Sequence, residues 1–244
     1  MAIKTFKRYE YKYILNRKQY LAVLEGIMPY ADVDPYCVDG KLYSLYNIYF
    51  DTADYSVIRH SVSKPEFKEK LRLRSYYPDF NDDDKVFVEL KKKCSGCVNK
   101  RRAVMKYKDA KKLIETGESY RTGDFIHDQV VSEIEWYIQK NPVVNKTYLA
   151  YDRAAYFLKE DKKIRITFDT NLRAGPISFN MEDCVPLVDD DTYVMEIKLS
   201  HYMPVWLARL LSENKIYRHG FSKYGTYYKN YIISERIKQN ASVL

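Results

Sequence analysis

Several short stretches of this chain place basic residues at every second position, with apolar or aromatic residues between them. On an extended strand, residues two apart share a face. Lys70, Arg72 and Arg74 therefore oppose Leu71 and Leu73, while Glu89, Lys91 and Lys93 oppose Val88 and Leu90. Lys163, Arg165, Thr167 and Asp169 oppose Ile164, Ile166 and Phe168; Glu196 and Lys198 oppose Met195, Ile197 and Leu199. Arg8, Glu10 and Lys12 alternate with Tyr9, Tyr11 and Tyr13. One such strand is an ordinary amphipathic strand with one face in water. Several in one sheet either repel each other across an open surface or converge on a polyanion. If the sheet closes, helices cover the apolar outside and the cations line a lumen. Confining several cations there costs on the order of several kcal/mol each unless an anion offsets it.

The order of elements fits such a sheet. A strand is expected at Thr5–Leu15, then a helix from Arg17 to Met28 capped by Asn16, with Leu21, Leu24 and Met28 as its apolar stripe. Pro29–Gly40 reads as turn. Strands follow at Leu42–Asp51, Glu69–Tyr77, Lys85–Lys93 and Asn99–Lys106, with a helical stretch at Asp54–His60. Helices at Lys108–Thr116 and Phe125–Gln139 precede strands at Thr147–Phe157, Lys163–Asp169 and Tyr193–Leu199. A helix from Pro204 and a long one after Ser222 finish the chain. No repeat or low-complexity linker divides the 244 residues, so 1–244 reads as a single domain.

Composition narrows the class. The net charge of +8 fits a polyanionic partner, and 25 tyrosines against 10 phenylalanines suit strands whose side chains end in water. No apolar run approaches the roughly 18 residues of a membrane span, and no signal peptide precedes the first basic residues. A cytoplasmic location is the expectation. Cys94-Ser95-Gly96-Cys97 is a CxxC, but neither Cys37 nor Cys184 has a second ligand at zinc-knuckle spacing. The pair reads as free thiols in a lysine-flanked hairpin turn.

The chain resembles the VTC (vacuolar transporter chaperone) domain, the polyphosphate polymerase branch of the triphosphate tunnel metalloenzymes. The resemblance rests on Arg8–Tyr13, Tyr49-Phe50-Asp51-Thr52, Lys70–Arg74, Glu89-Leu90-Lys91, Lys100-Arg101-Arg102, Tyr151-Asp152-Arg153, Arg165–Asp169, Glu196-Ile197-Lys198 and Phe221-Ser222-Lys223-Tyr224, in order. It implies an α+β fold: a closed antiparallel eight-stranded β-tunnel with flanking helices. It implies transfer of the ATP γ-phosphate onto polyphosphate with Mn²⁺ or Mg²⁺. It assigns phosphate binding to Lys12, Arg72, Arg74, Lys91, Lys100, Arg153, Arg165 and Lys223, with Ser222 beside the last, and metal binding to Glu196. Of these, Arg72, Arg74, Lys91, Arg165 and Lys223 are the expected catalytic residues. Strand parity adds Lys70 and Lys198, and a further basic residue is expected at Arg59, with Lys64 as the alternative.

Gly220 stands where the polymerase pattern has another lysine, and Arg8 where the hydrolase branch has its first acid. The second departure favours polymerase over hydrolase. A tripolyphosphatase or nucleoside triphosphatase in the same tunnel is the alternative, and a non-catalytic polyphosphate-binding module is another. Nucleic acid is not the expected partner, since no RNP-like or GxxG signature accompanies the charges. Oligomeric state is open, and so is a membrane-protein partner, because the sensor domain and membrane spans of eukaryotic polymerase chains are not in this sequence. His60, His127, His201 and His219 lack partner spacing and read as structural or exposed.

The cysteine reading is directly testable. Cys94→Ser is expected to change stability by less than about 0.5 kcal/mol, the usual range for a surface substitution. Protein purified without added metal is expected to carry no stoichiometric zinc. Zinc that is present and lost in the variant is the opposing outcome.

Overall fold

The computed structural model describes residues 9–37, 42–177, 181–199 and 202–234. Arg8 and His201, named above, lie outside the described residues, as does the start of the expected first strand.

Ten antiparallel strands form one sheet. They are β1 (Tyr9–Asn16), β2 (Ala31–Val33), β3 (Tyr43–Thr52), β4 (Phe67–Ser75), β5 (Lys85–Cys94), β6 (Cys97–Lys106), β7 (Val143–Leu158), β8 (Arg165–Gly175), β9 (Val185–Pro186) and β10 (Thr192–Leu199). Eight lie on one path, β1-β10-β8-β7-β3-β4-β5-β6, while β2 pairs with β7 and β9 with β8. The expected closed eight-stranded sheet is therefore corrected to a ten-stranded one that is not closed. The extra strands, three and two residues long, are too short to show a period of two. One of them lies in the stretch read as turn. A side-chain contact reaches from one end of the path to the strand next to the other end: Lys91 Nζ of β5 donates to Glu10 Oε2 of β1 at 2.6 Å.

The apolar parity of each strand is buried beneath helices. Leu71, Leu73, Val86, Val88, Leu90, Ala103 and Met105 pack under α3 (Tyr107–Thr116) and α4 (Phe125–Lys140). Tyr13, Leu15, Ile166, Phe168, Met195, Ile197 and Leu199 pack under α1 (Arg17–Ile27) and α5 (Val205–Glu213). Asn16 caps α1 as expected: its side chain accepts from Gln19 N at 2.9 Å, and Gln19 Oε1 accepts from Asn16 N at 3.2 Å. The expected stripe is rotated, however. Leu21 and Met28 are 52% and 50% exposed, and Val23 and Ile27 are buried instead. Gly26 explains the rotation: a Cβ there would stand 2.6 Å from Leu210 Cδ1, so the bare glycine lets α5 approach this side.

A third cluster joins α2 (Ser56–Val62) and α6 (Lys223–Tyr227) to one end of the sheet through Leu45, Ile58, Leu149, Tyr224 and Tyr228. The helix expected after Ser222, capped by the Ser222 side chain, runs from α6 through a π-helical turn at Tyr228–Ile232 to residue 234, where the described residues end. Asp51, fully buried, ties these pieces together. Its Oδ1 accepts from Thr52 N at 2.8 Å and Val57 N at 2.9 Å, and its Oδ2 accepts from Ile58 N and the Tyr224 hydroxyl, both at 2.9 Å.

A neutral amide at position 51 offers one acceptor atom and puts a second donor group where donors already point. Asp51→Asn is expected to destabilise the fold by about 1.5–3 kcal/mol, the range for hydrogen bonds to a charged group. Urea denaturation reads the loss; an unchanged midpoint would show that α2 and α6 do not depend on this carboxylate.

Candidate functional site

The opposite parity of the same strands carries the charge. Glu10 and Lys12 (β1), Lys70, Arg72 and Arg74 (β4), Glu89 and Lys91 (β5), Lys100 and Arg102 (β6), Arg153 (β7), Arg165 and Asp169 (β8), and Glu196 and Lys198 (β10) all stand opposite apolar positions on their strands. A few carboxylates arrange these cations. Glu89 has no exposed surface and collects four of them. Its Oε2 accepts from Arg72 Nε at 2.8 Å and lies 4.0 Å from Arg74 Nε; its Oε1 accepts from Arg102 Nε at 2.7 Å and Lys100 Nζ at 3.2 Å. Burial would raise the Glu89 pKa, but the Arg72, Arg74, Lys100 and Arg102 charges outweigh it and hold the group ionised far below the usual range.

Asp169 forms a second node. It accepts a forked pair from Arg153, Nε at 2.6 Å and Nη2 at 2.8 Å, and a third bond from Lys223 Nζ at 2.6 Å. Burial works against its charge, yet Arg153 and Lys223 bring it down to about 2. Between the two nodes stands Tyr151. Arg74 Nη2 donates to its hydroxyl at 3.2 Å, and Lys223 Nζ lies 4.3 Å from its ring centroid. Burial would raise this phenol, but Arg74, Arg153 and Lys223 bring it down to about 8.

The third node is Glu196, 3.1 Å from Lys198 Nζ and 3.7 Å from Lys12 Nζ. Burial again opposes the charge, and Lys198, Lys12, Lys91 and Arg153 hold Glu196 well below the carboxylate range. Lys12 also donates to the Phe221 carbonyl at 3.0 Å. At one end Arg165 Nη2 donates to Asp34 Oδ2 at 2.7 Å and to the Tyr43 hydroxyl at 3.0 Å. Lys70 differs from the rest: among the described residues it meets no carboxylate, and its Nζ donates to Ser222 Oγ at 3.2 Å. Burial and the Lys12, Lys68 and Lys91 charges push it down to about 7. Lys12 and Lys100 are pushed to about 8, chiefly by burial.

Of the expected residues, Lys12 and Lys198 meet at Glu196, Arg72, Arg74 and Lys100 at Glu89, and Arg153 and Lys223 at Asp169, while Lys70 bonds to Ser222, Lys91 to Glu10, and Arg165 to Asp34 and Tyr43. Arg59 is not among them. It sits on the exposed side of α2, paired with Asp54. Lys64, the alternative, is exposed in the loop before β4, near enough to Lys68 to lower its pKa. Arg102, Asp34 and Tyr151 are members that the parity argument did not single out, and Asp169, placed on the polar face by parity, was given no role. Alternation with Arg101, which turns outward to Glu133 of α4 at 2.9 Å, could have found Arg102. Asp34 comes from the segment read as turn and carried no signal. Of the histidines, His60 Nε2 lies 3.1 Å from the Phe67 carbonyl, His127 Nε2 lies 3.2 Å from the Val104 carbonyl, and exposed His219 donates its backbone N–H to Lys12 O at 2.7 Å. Cys94 and Cys97 are paired positions across the β5–β6 turn, both with free thiols.

Among the described residues no three His, Cys, Asp or Glu side chains converge to hold a metal by themselves. Burial and then the nearby Glu196 charge push Glu10 up, although Lys91 and Lys198 leave it net lowered. One or two carboxylates, completed by phosphate oxygens and water, is the donor set hard divalent cations accept. The residues present therefore fit Mg²⁺ or Mn²⁺ as a site shared with a phosphate ligand, and do not fit a preformed protein cage.

No helix among the described residues is long and apolar enough to cross a membrane. No curated protein matches the chain. Among solved structures, a "putative adenylate cyclase" of Bacillus halodurans is 13% identical with a TM-score of 0.50, covering 88% of this chain and 95% of that one. A protein of the same description from Vibrio parahaemolyticus is 12% identical with a TM-score of 0.49, covering 90% of this chain and 97% of that one. At 13% identity the likeness to the first speaks for the fold alone. The model of the VTC domain matches residues 7–232, nearly the whole length, and the chain belongs to the VTC domain family.

Proposed function

We propose that this protein transfers the γ-phosphate of ATP onto the end of a polyphosphate chain held along the basic face. The observation that carries the proposal is the convergence of Lys12, Lys70, Arg72, Arg74, Lys91, Lys100, Arg153 and Lys223 from five strands and a helix start, with burial lowering the pKa of three of the lysines. Membership of the VTC domain family supports the same reading. In this account the eight-strand path curls into a tunnel around the chain, with Glu10–Lys91 bridging β1 to β5.

The transfer forms a bond from a terminal oxygen of the polyphosphate to Pγ and breaks the bond from Pγ to the oxygen bridging Pβ, which leaves with ADP. Such a transition state asks for alignment and neutralisation of the equatorial oxygens rather than covalent help. Arg72 and Arg74, held in place by Glu89, Tyr49 and Asn47, offer forked donors to those oxygens. Lys91, Arg165 and Lys223 add charge along the chain, and Ser222 places its hydroxyl beside Lys70. The attacking phosphate oxygen is already ionised, so no general base is required. When bound, Mn²⁺ or Mg²⁺ at Glu196 would act as Lewis acid on the phosphate oxygens. Incubation with ATP and Mn²⁺, following long-chain polyphosphate and free phosphate separately, tests the reading. Polyphosphate with matching ADP supports it, free phosphate alone would mark a hydrolase, and neither product would mark a binding module.

Glu196→Gln is expected to keep metal-free nucleotide binding within about threefold and lose at least about a hundredfold in metal-dependent turnover, as for loss of a transition-state contact. Full activity at saturating Mn²⁺ would assign Glu196 to neutralising Lys198 and Lys12 only.

Binding is also expected to depend on pH. A bound polyanion favours the ammonium forms of Lys70, near 7, and Lys12 and Lys100, near 8, so association takes up protons between pH 7 and 9 and weakens as pH rises through that window. The stability of the free protein moves oppositely: unfolded lysines, at 10.5, hold protons that these folded ones lack, so their contribution rises with pH. Calorimetry in buffers of different ionisation enthalpy measures the uptake, which Lys70→Met should reduce. Binding without proton uptake would contradict the depressed lysines.

A further inference from the structure

We propose that Lys68, Lys93 and Lys64 form a second polyanion subsite, which holds the part of a phosphate chain that extends beyond the nucleotide-binding set. This rests on the phosphate-chain reading above and adds to it where the chain runs and why its length matters.

Lys68 continues the parity of Lys70, Arg72 and Arg74 on β4, and Lys93 continues that of Glu89 and Lys91 on β5. The register sets Lys68 directly opposite Lys93, next to the opposed pair Lys70 and Lys91. Like charges directly across an antiparallel pair destabilise it. The other face of the same two strands shows the ordinary solution: Glu69 stands opposite Lys92, with Lys92 Nζ 3.5 Å from Glu69 Oε1. Nothing comparable serves Lys68 and Lys93. Lys68 Nζ donates to the Ser61 carbonyl at 3.3 Å, and burial together with the Lys93 and Lys64 charges lowers its pKa. Lys93 and Lys64 are exposed, and among the described residues none of the three meets a carboxylate.

The stripe therefore runs unbroken from Arg74 to Lys68. The six residue steps from Lys68 to Arg74 cover about 20 Å, well beyond the triphosphate of one nucleotide. A linear inorganic phosphate chain is the ligand that supplies one charge per short repeat over that length. A single-stranded nucleic acid would call for aromatic side chains on the same face for its bases, and the neighbours there are Lys70 and Lys91.

The test compares inorganic tripolyphosphate with a long linear polyphosphate as ligands of the full chain, at about 0.15 M salt where exposed charges are screened beyond about 8 Å. In the Lys68→Gln/Lys93→Gln double variant, tripolyphosphate affinity is expected to stay within about twofold. Long-chain affinity is expected to fall about tenfold, equivalent to about 1.4 kcal/mol. Lys93→Glu alone, at an exposed position, should reproduce the selective loss if the double variant fails to fold. Equal loss for both probes would place these lysines in the triphosphate set, and no loss for either would leave them as solvated surface; each overturns the subsite. Equal, variant-sensitive binding of a single-stranded RNA would overturn the assignment to inorganic phosphate. Wild-type protein that binds neither phosphate probe would sink the phosphate-chain reading itself, whereas tripolyphosphate binding with an unselective variant sinks only the subsite.

Discussion

Glu89 is a carboxylate with no exposed surface, and four cations depend on it. Two unit charges 4 Å apart interact by about 4 kcal/mol at an effective dielectric of 20, so Arg72, Arg74, Lys100 and Arg102 could not share one buried face without a common anion. Glu89 brings strands β4, β5 and β6 into fixed mutual register at the level of their side chains. Asp169 does the same for Arg153 and Lys223, and Glu196 for Lys12 and Lys198. Each acid lowers the cost of assembling the cations and leaves their donors oriented. The arrangement is under-neutralised, with Lys70 as its clearest symptom. That residual charge disfavours the empty protein and favours a polyanion, which couples stability against binding in one set of residues.

The ends of the helices are tied to the same face. Asp51 receives the first amides of α2 and the Tyr224 hydroxyl of α6, while Ser222 and Lys223, at the start of α6, reach Lys70 and Asp169. A displacement of α6 would therefore move two of the groups that border the basic face, and Asp51 resists it from the far side. Outside, the helices answer a plainer demand: the leucine, valine and isoleucine parity of every strand must leave water, and two helix pairs cover it.

The basic face itself was legible because strand periodicity is strict. Lys70-Leu71-Arg72-Leu73-Arg74 and Arg165-Ile166-Thr167-Phe168-Asp169 state which side chains share a side, and burial of the leucines, isoleucine and phenylalanine agrees. Helix caps were legible for the same local reason: Asn16, Gly117 and Pro204 act within a few residues. The stripe of α1 was not. Leu21 and Val23 are equally apolar, and only the approach of Leu210 to Gly26 decides which one is covered.

What the sequence by itself determined is the alternation: cations on one side of each strand, apolar residues on the other, with turns and caps between. Tertiary structure decided which charges meet. Glu89 gathers cations from both flanking strands, Asp34 reaches Arg165 from 131 residues away, and Lys91 meets Glu10 across 81 residues. The reason is physical: side-chain parity follows from the local backbone of each strand, whereas partnership depends on strand order, register and stagger, which are set by packing the whole sheet at once.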